Sequence, residues 1–558
     1  MDKYIVGLGG SAHEFSAVVL KNEDIVIGIE DERVTRRKNG ASWWYEIPCL
    51  PSVNYCMQDI EHSEIDTFVG CDILPNRTKQ KFENLVLYNH HLLHAASIYY
   101  FCEHEKMAII VFDGWGSIID APINGTQARE TISFFSCENG RIDLLGRTTG
   151  LQPIENNSFS MGISNSIGYF YNMLTKLIGF GKLEEGKTMG MAGYGGASHL
   201  ELFKTHISFS QDFNQAFTFD PLNSDFSSKI QTVLMNNGNT FQIRADMAYC
   251  GQKIFEEAIL TYVHELLDRG FNTIGIAGGC ALNSVANGKI YDYLSERNKS
   301  FVVLPHVNDA GIALGAAAYH YHKSKRKKIP FTIKGQKEKR KIYSISKHYS
   351  ENNILEAINM FYPSISYELC AQPERKIAQL INEGYIIAIF YKGSEFGPRA
   401  LGNRSILSNP TSSLYREKIN REIKFREPFR PIAPVIMEDH YCDYFEGSPH
   451  RPFMLNVAKV KKDKMDRISS TIHIDKTARV QTVYQKLNPR LYNILQEYYK
   501  LSGIPVISNT SFNQKNQPIV ETPYDALNAF KKMSIDYLLI ENYLIEKINP
   551  DDLKKKRR

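Results

Sequence analysis

Two kinds of apolar pattern alternate along the chain. Near the start, KYIVGLGG and SAVVL are short apolar runs joined by turn residues, which predicts a β-hairpin, and DIVIGIEDERVTR adds a third strand-like run. FENLVLYNHHLLHAASIYY takes helical spacing in its second half, and MAIIVFDGWGS reads as a buried strand ending in a glycine turn. SIGYFYNMLTKLIGFGKLEEGKTMGMAGYGG predicts an amphipathic helix followed by a Gly-rich loop. ADMAYCGQKIFEEAILTYVHELLDRG predicts a long helix stopped by Gly270. NTIGIAGGCALNSVANGKI reads strand, glycine turn, helix, and FVVLPHVNDAGIALGAAAYHY reads strand, turn, small-residue helix. Strands alternating with helices in this way imply an α/β fold.

From Tyr321 to Ile345 the periodicity is lost and basic residues accumulate, which places a linker there. Beyond it the pattern resumes. KIAQLINEGYIIAIFYKG is helix then strand, RLYNILQEYYKLSGIPVISNTSFN is helix, strand and polar loop, and a helix–strand pair closes the unit near DALNAFKKMSIDYLLIENYLI. The expected division is therefore 1–322, a basic linker 323–345, and 346–558. No internal repeat of short period stands out.

Composition narrows the class. The 558 residues suit two to four domains, and 43% apolar residues exclude a mainly disordered chain. No apolar run reaches the roughly 18 residues of a membrane span. The opening MDKYIVGLGGSAHEF does not have the form of a signal peptide, and nine cysteines without a CxxC pair argue against a disulfide framework or a thiolate zinc site. A cytoplasmic protein without a membrane partner is the expectation. The net charge of +5 is mild, and much of it lies in KSKRKK, from Lys323 to Lys328, and in the tail ending at Arg558. Both are expected to be solvated, so nucleic acid is not the expected partner.

Candidate chemistry falls into four places. GLGGSAHEFSA, VFDGWGS and IAGGCALN each follow a strand, and such glycine turns let backbone amides face a phosphate. In HHLLH, His90 and His94 are four apart on a helix and share one face, a chelating arrangement, whereas His91 points elsewhere and is expected to be exposed. Asp113, ending the next strand, and Asp309, in the turn NDAG, are the best carboxylates to complete a nitrogen–oxygen site suited to iron, manganese or zinc. His13, in the first turn, is a candidate general base for a hydroxyl, with Arg36 and Lys38 as nearby anion binders. Finally, SEFGPRALGNRSIL carries Arg399 and Arg404, KFREPFRPIAP adds Lys424, Arg426 and Arg430, TARVQTV adds Arg479, and ISNTSFN offers Asn509, Ser511 and Asn513. Guanidinium groups among glycines and turn residues suit a phosphate, which they bind bidentately.

Together these motifs resemble the O-carbamoyltransferases of the nodulation-protein and antibiotic-tailoring type. The likeness runs nearly end to end, through EDERVTRRK, HHLLHAAS, GKTMGMAGYG, GGCALN, NDAGIALGAA, EFGPRALGNRSIL, KFREPFRPIAP, ARVQTV and NTSFN. It departs at Lys392–Gly393, where the family reads glycine-arginine, and at VTRRKN, which lacks the family's phenylalanine and histidine. The resemblance implies an N-terminal actin-like (ASKHA) domain with two βαβ-rich subdomains, and a C-terminal α/β domain of the threonylcarbamoyl-adenylate-synthase type.

It also implies a reaction. The C-terminal domain would form carbamoyl-adenylate from carbamoyl phosphate and ATP, releasing pyrophosphate, with Lys392, Arg399, Arg404, Lys424, Arg426, Arg430, Arg479, Asn509, Ser511 and Asn513 as binding residues. The N-terminal domain would then transfer the carbamoyl group to a hydroxyl of a small acceptor of the sugar, antibiotic or nucleoside type. His13 and Lys38 would be catalytic, Gly278, Gly279 and Asn283 would hold the nucleotide, and His90, His94, Asp113 and Asp309 would hold Fe2+, Mn2+ or Zn2+. Mg2+ is expected with ATP, and a homodimer is compatible with the sequence. Two other readings compete: a relative of the tRNA-modifying threonylcarbamoyl transferases, and a non-catalytic nucleic-acid-binding protein using the basic linker and tail.

Overall fold

The computed structural model describes residues 3–11, 14–40, 50–120, 125–155, 158–159, 162–323, 325, 328, 332–333 and 343–548. The chain forms two compact units: residues 1–26 with 41–334, and residues 27–40 with 335–558. Residues 27–40 thus cluster with the second unit, although an N-terminal domain of 1–322 was the expectation.

The first unit is built on two mixed sheets of the same topology. In one, β1 (Tyr4–Gly9), β2 (Ser16–Lys21) and β3 (Asp24–Glu30) form a meander, and β4 (Ile65–Cys71) and β5 (Leu85–Tyr88) follow, in the spatial order β3-β2-β1-β4-β5. β1 pairs antiparallel with β2 and parallel with β4, which pairs parallel with β5. In the other, β6 (Lys106–Phe112), β7 (Thr126–Glu138) and β8 (Arg141–Glu155) form the meander. A short β9 (Ser158–Phe159) extends its edge, and β10 (Ser208–Phe209) with β11 (Phe217–Thr218) makes a separate two-stranded piece. β12 (Thr273–Ala277) and β13 (Ser300–Val302) complete the order β8-β7-β6-β12-β13, with β6, β12 and β13 parallel. A meander followed by two parallel strands, made twice, is the arrangement of a duplicated actin-like domain.

Small residues let the helices sit close to these sheets. Ile312–His322 packs on β1, where a Cβ on Gly7 would lie 2.0 Å from the Ala313 carbonyl oxygen. The helix His90–Tyr99 packs against that helix and also against β6 and β12, so it bridges the two halves of the unit. Some expectations change here. The segment expected as a Gly-rich loop contains a helix, Glu185–Ala192. In the basic stretch, Lys328 is buried rather than solvated, donating to the His104 carbonyl at 2.8 Å and lying over the Tyr99 ring. Beside it β14 (Thr332–Ile333) pairs parallel with the start of β3.

The second unit is an α/β layer around one mixed eight-stranded sheet. Its strands are β15 (Ile365–Leu369), β16 (Ile387–Phe390), β17 (Arg404–Ser408), β18 (Ala433–Met437), β21 (Gln481–Val483), β22 (Val506–Ser511), β23 (Tyr537–Ile540) and β24 (Tyr543–Lys547), while β19 (Val457–Lys459) and β20 (Thr477–Arg479) pair separately. Alternation along β16 decides the layers. Ile387 and Ile389 join a core with helices Pro373–Asn382 and Pro489–Ser502. Ala388 and Phe390 join another with helices Glu351–Phe361 and Pro523–Lys532. The arginine segment leaves β16 and returns as β17, in the middle of the sheet order β15-β24-β23-β16-β17-β22-β18-β21.

Candidate functional site

In the first unit the helix His90–Tyr99 begins at Asn89, whose side chain accepts from the Leu92 amide. One face of its first turns carries His90 and His94, both fully buried. Asp113 follows β6, and Asp309 opens the turn before the helix Ile312–His322. His90 Nε2 lies 3.4 Å from Asp113 Oδ2 and 3.7 Å from Asp309 Oδ1. His94 Nε2 lies 3.5 and 3.3 Å from the same two oxygens. The four donor atoms are within 4.8 Å of one another. Two imidazoles and two carboxylates converging in a buried spot fit a divalent first-row metal such as iron, manganese or zinc.

The electrostatics fit a cation as well. Burial pushes Asp113 up, yet hydrogen bonds from His90 and His94 and their charge hold it well below the usual carboxylate range. Burial pushes His90 down, but hydrogen bonds with Asp113 and Cys71 and the charge of Asp309 prevail and raise it well above an ordinary imidazole. In Asp309 burial and Asp113 act upward, while the His94 hydrogen bond and both histidine charges bring it below its ordinary value. Both acids are thus held ionised, the form in which a carboxylate coordinates a metal.

The glycine turn after β12 borders this cluster. Gly278 has φ +92°, and a Cβ there would lie 2.2 Å from the Phe112 carbonyl oxygen, so only glycine fits. A Cβ on Gly279 would stand 3.1 Å from Asp113 Oδ1. Asn283 caps the helix Ser284–Ser295 and exchanges hydrogen bonds of 2.9 and 3.2 Å with Gln252, which also accepts from the Tyr171 hydroxyl. The first turn reaches the same place, since Asn308, beside Asp309, donates to Glu14 at 2.7 Å. His13 lies outside the described residues.

In the second unit cations gather in excess of the acids beside them, Glu427 near Arg430 and Arg426 and Glu32 near Lys38. Burial and then Arg430 push Arg399 down to about 10. The same two causes push Arg426 down to about 9. Burial and the charges of Arg399, Arg426 and Arg430 bring Arg479 well below its ordinary value. The Nε atoms of Arg399 and Arg479 have no hydrogen-bond partner among the described residues. Lys38 belongs here too. Burial lowers it, Glu32 raises it, and Arg430, Arg399 and Arg426 lower it further. Mutual repulsion among partly desolvated cations costs free energy that a bound polyanion would relieve.

Family models described as Carbamoyltransferase N-terminus and Carbamoyltransferase C-terminus match residues 4–84 and 73–318, and residues 378–547, respectively. The chain belongs to the carbamoyltransferase family. Similar proteins include nodulation protein NolNO of Sinorhizobium fredii, 27% identical over 589 residues that cover 97% of this chain and 80% of that protein. Nodulation protein NolO of Bradyrhizobium diazoefficiens is 28% identical over 473 residues, covering 82% and 79%. An uncharacterized protein of Methanocaldococcus jannaschii, MJ1051, is 28% identical over 553 residues, covering 96% and 98%. Among solved structures, T. kodakarensis HypF aligns over 58% of this chain and 47% of its own at 14% identity and a TM-score of 0.34, a level that carries no argument.

Several side chains of the carbamoyltransferase depart from the sequence expectation. Lys38, assigned above to N-terminal catalysis, stands instead among the arginines of the second unit. Arg404, expected as a phosphate ligand, is fully buried over the Phe390 ring and donates to the carbonyls of Tyr391, Asn403 and Lys392, so it braces the loop. Lys392 sits at that braced end, over the Tyr391 ring. Lys424 is saturated by Ser511 and Asn513, which it ties together. Asn509 is buried and donates to the Ala400 carbonyl and to Gln481. His91 is buried, not exposed. It hydrogen-bonds Ser133 at 2.8 Å, and burial holds it down at about 4.

Sequence reasoning missed the acids that hold these loops. Glu130 accepts from both the Asn89 side chain and the His91 amide, and Ser117 links the His90 amide to Asp72. Glu395 accepts from the amides of Leu401 and Asn403, at 2.7 and 2.8 Å, closing the loop around Arg399. Acids bound to backbone amides leave no spacing signature in a single sequence.

Proposed function

We propose that the enzyme forms carbamoyl-adenylate in its second unit and uses it in its first unit to carbamoylate a hydroxyl of a small acceptor. The observation that carries this reading is the gathering of five cations, Arg399, Arg426, Arg430, Arg479 and Lys38, with Glu427 and Glu32 the acids that act on them and with the buried Nε atoms of Arg399 and Arg479 lacking a partner among the described residues. A site built for one phosphate does not need five cations, whereas ATP with carbamoyl phosphate presents several phosphate groups at once.

Atom balance sets the steps. Water releases orthophosphate from carbamoyl phosphate and supplies the oxygen of carbamate. A carbamate oxygen attacks the α-phosphorus of ATP, and pyrophosphate leaves, with Mg2+ accompanying the nucleotide. The arginines hold the phosphates in line and stabilise charge on the departing oxygens. Half-burial of Arg399 and Arg479 strengthens those contacts relative to water. The loop braced by Arg404 and Glu395 keeps Arg399 in place.

In the first unit, the Gly278 amide donates to the Val307 carbonyl and fixes the turn, which brings the Gly279 backbone to the adenylate, and Asn283 holds the helix start behind it. His90, His94, Asp113 and Asp309 would hold iron, manganese or zinc, which when bound supplies a Lewis acid next to the leaving phosphate. The acceptor hydroxyl attacks the carbamoyl carbon, the bond to the AMP oxygen breaks, and His13 takes the hydroxyl proton. Adenylation is what makes the transfer feasible, because AMP is a far better leaving group than the oxygen of free carbamate.

The test is to follow pyrophosphate release from ATP with and without carbamoyl phosphate. The expected result is release that depends on carbamoyl phosphate and needs no acceptor. Carbamoyl transfer that proceeds at full rate without ATP would overturn the proposal.

A further inference from the structure

A closed ring of charge-assisted hydrogen bonds joins residues 30–33 to the loop that carries Arg399. Glu30 Oε1 accepts from the Gly397 amide at 2.9 Å, across 367 residues of chain. Arg33 Nη2 donates to the Gly397 carbonyl at 2.7 Å, and Arg33 Nε donates to Glu30 Oε2 at 2.8 Å. Both peptide groups of one residue are thus held by one buried ion pair, with Glu30 and Arg33 6% and 1% exposed. Gly397 has φ +121°, a conformation open to glycine, and it stands two residues before Arg399.

The same short segment is fastened further along. Arg36 donates to the carbonyls of Ile519 and Pro518 at 2.7 and 3.0 Å, and its Nε lies 3.5 Å from Asp525. The Asn39 amide donates to Glu32 at 2.9 Å. Between these anchors the chain presents Lys38, whose charge environment is made by Arg430, Arg399 and Arg426. One tether fixes the loop of Arg399, and the other end of the tethered segment delivers Lys38 to the same place.

We propose that the Glu30–Arg33 pair is a positioning device for the anion site: by gripping the Gly397 peptide it sets the placement of Arg399 relative to Lys38. This rests on the reading of that cluster as the carbamoyl phosphate and ATP site. Arg33 Nε donates to Glu30 and lies 3.6 Å from Glu32, and Nη2 donates to Gly397, while its buried Nη1 has no partner among the described residues. A buried pair acting as a unit has a signature that a merely stabilising pair lacks. Losing either member misplaces the loop, and losing both does no further harm to binding.

The experiment uses the full chain. Arg33→Ala, Glu30→Ala and the double variant are compared with the wild type in carbamoyl-phosphate-dependent pyrophosphate release. Pyrophosphate binding is measured by calorimetry well below the unfolding temperature. The isosteric Glu30→Gln is included because it keeps the shape of the site if the alanine variants fail to fold. Each single variant is expected to raise KM for carbamoyl phosphate and weaken pyrophosphate binding by about tenfold to a hundredfold, as a misplaced binding group does. The double variant should match the worse single one. Hydrogen exchange of the peptide spanning 393–403 should quicken in the same variants. Wild-type KM and affinity in Glu30→Gln and Arg33→Ala, even with a lowered melting temperature, would overturn the inference and leave the site reading intact. A wild type that binds neither pyrophosphate nor carbamoyl phosphate would overturn both.

Discussion

His90, His94, Asp113 and Asp309 show what one residue can and cannot reveal. The four-residue spacing of the histidines was visible because a helix puts such positions on one face. The burial of His91 was not, since it depends on β7 supplying Ser133. Replacing His90 by Ala should weaken metal binding beyond the roughly 10–100-fold typical of a supporting residue. Chelator competition measures this, and pyrophosphate release should persist. The raised His90 also sets a pH dependence. Its imidazole keeps a proton at neutral pH that a metal must displace, so metal affinity should rise with pH across the neutral range. In the second unit the sign is opposite. Lys38, lowered by burial and by Arg430, Arg399 and Arg426, sheds its proton sooner than an ordinary lysine, so pyrophosphate affinity should fall as pH rises through the alkaline range. Calorimetry at stepped pH checks this.

At the scale of elements, apolar periodicity was enough to place β1, β2, β3, β6 and β12 and the long helix Phe241–Asp268, which ends beside Gly270 at φ +88°. Glycine was the weaker guide. Gly186 and Gly190 sit within the helix Glu185–Ala192, where packing against the long helix outweighs the low helix propensity of glycine. The long hairpin of β7 and β8 went unassigned because its strands mix charged and apolar residues without clean alternation. Where a glycine is required, contact shows it. A Cβ on Gly315 would lie 2.0 Å from the Leu93 carbonyl oxygen, in the helix that carries both histidines. Gly315→Ala should cost about 1–3 kcal/mol of stability by overpacking. It should also weaken metal binding, because the two helices carry or adjoin three of the four donors, His90, His94 and Asp309. Thermal unfolding and chelator competition read the two effects separately.

For the whole molecule, periodicity carried the α/β class and the presence of two units, whereas the two-subdomain build of the first came from the family resemblance and not from any repeat legible in the chain. The two six-stranded sheets share the topology of five strands while their sixth strands, loops and strand lengths differ, and a repeat of that kind leaves no short period. Nor could it show that residues 27–40 leave the first unit, since that depends on partners as distant as Gly397 and Ile519. No helix among the described residues is long and apolar enough to cross a membrane. Two sites in two units predict two separable half-reactions. The most direct test of the adenylate route is carbamoyl-phosphate-dependent exchange of labelled pyrophosphate into ATP. Exchange should occur in the wild type, survive His90→Ala, and fall by about a hundredfold to a thousandfold in Arg399→Ala, the scale of losing one charge-stabilising donor. Absence of exchange in a wild type that still transfers carbamoyl groups, or equal loss in both variants, would contradict it.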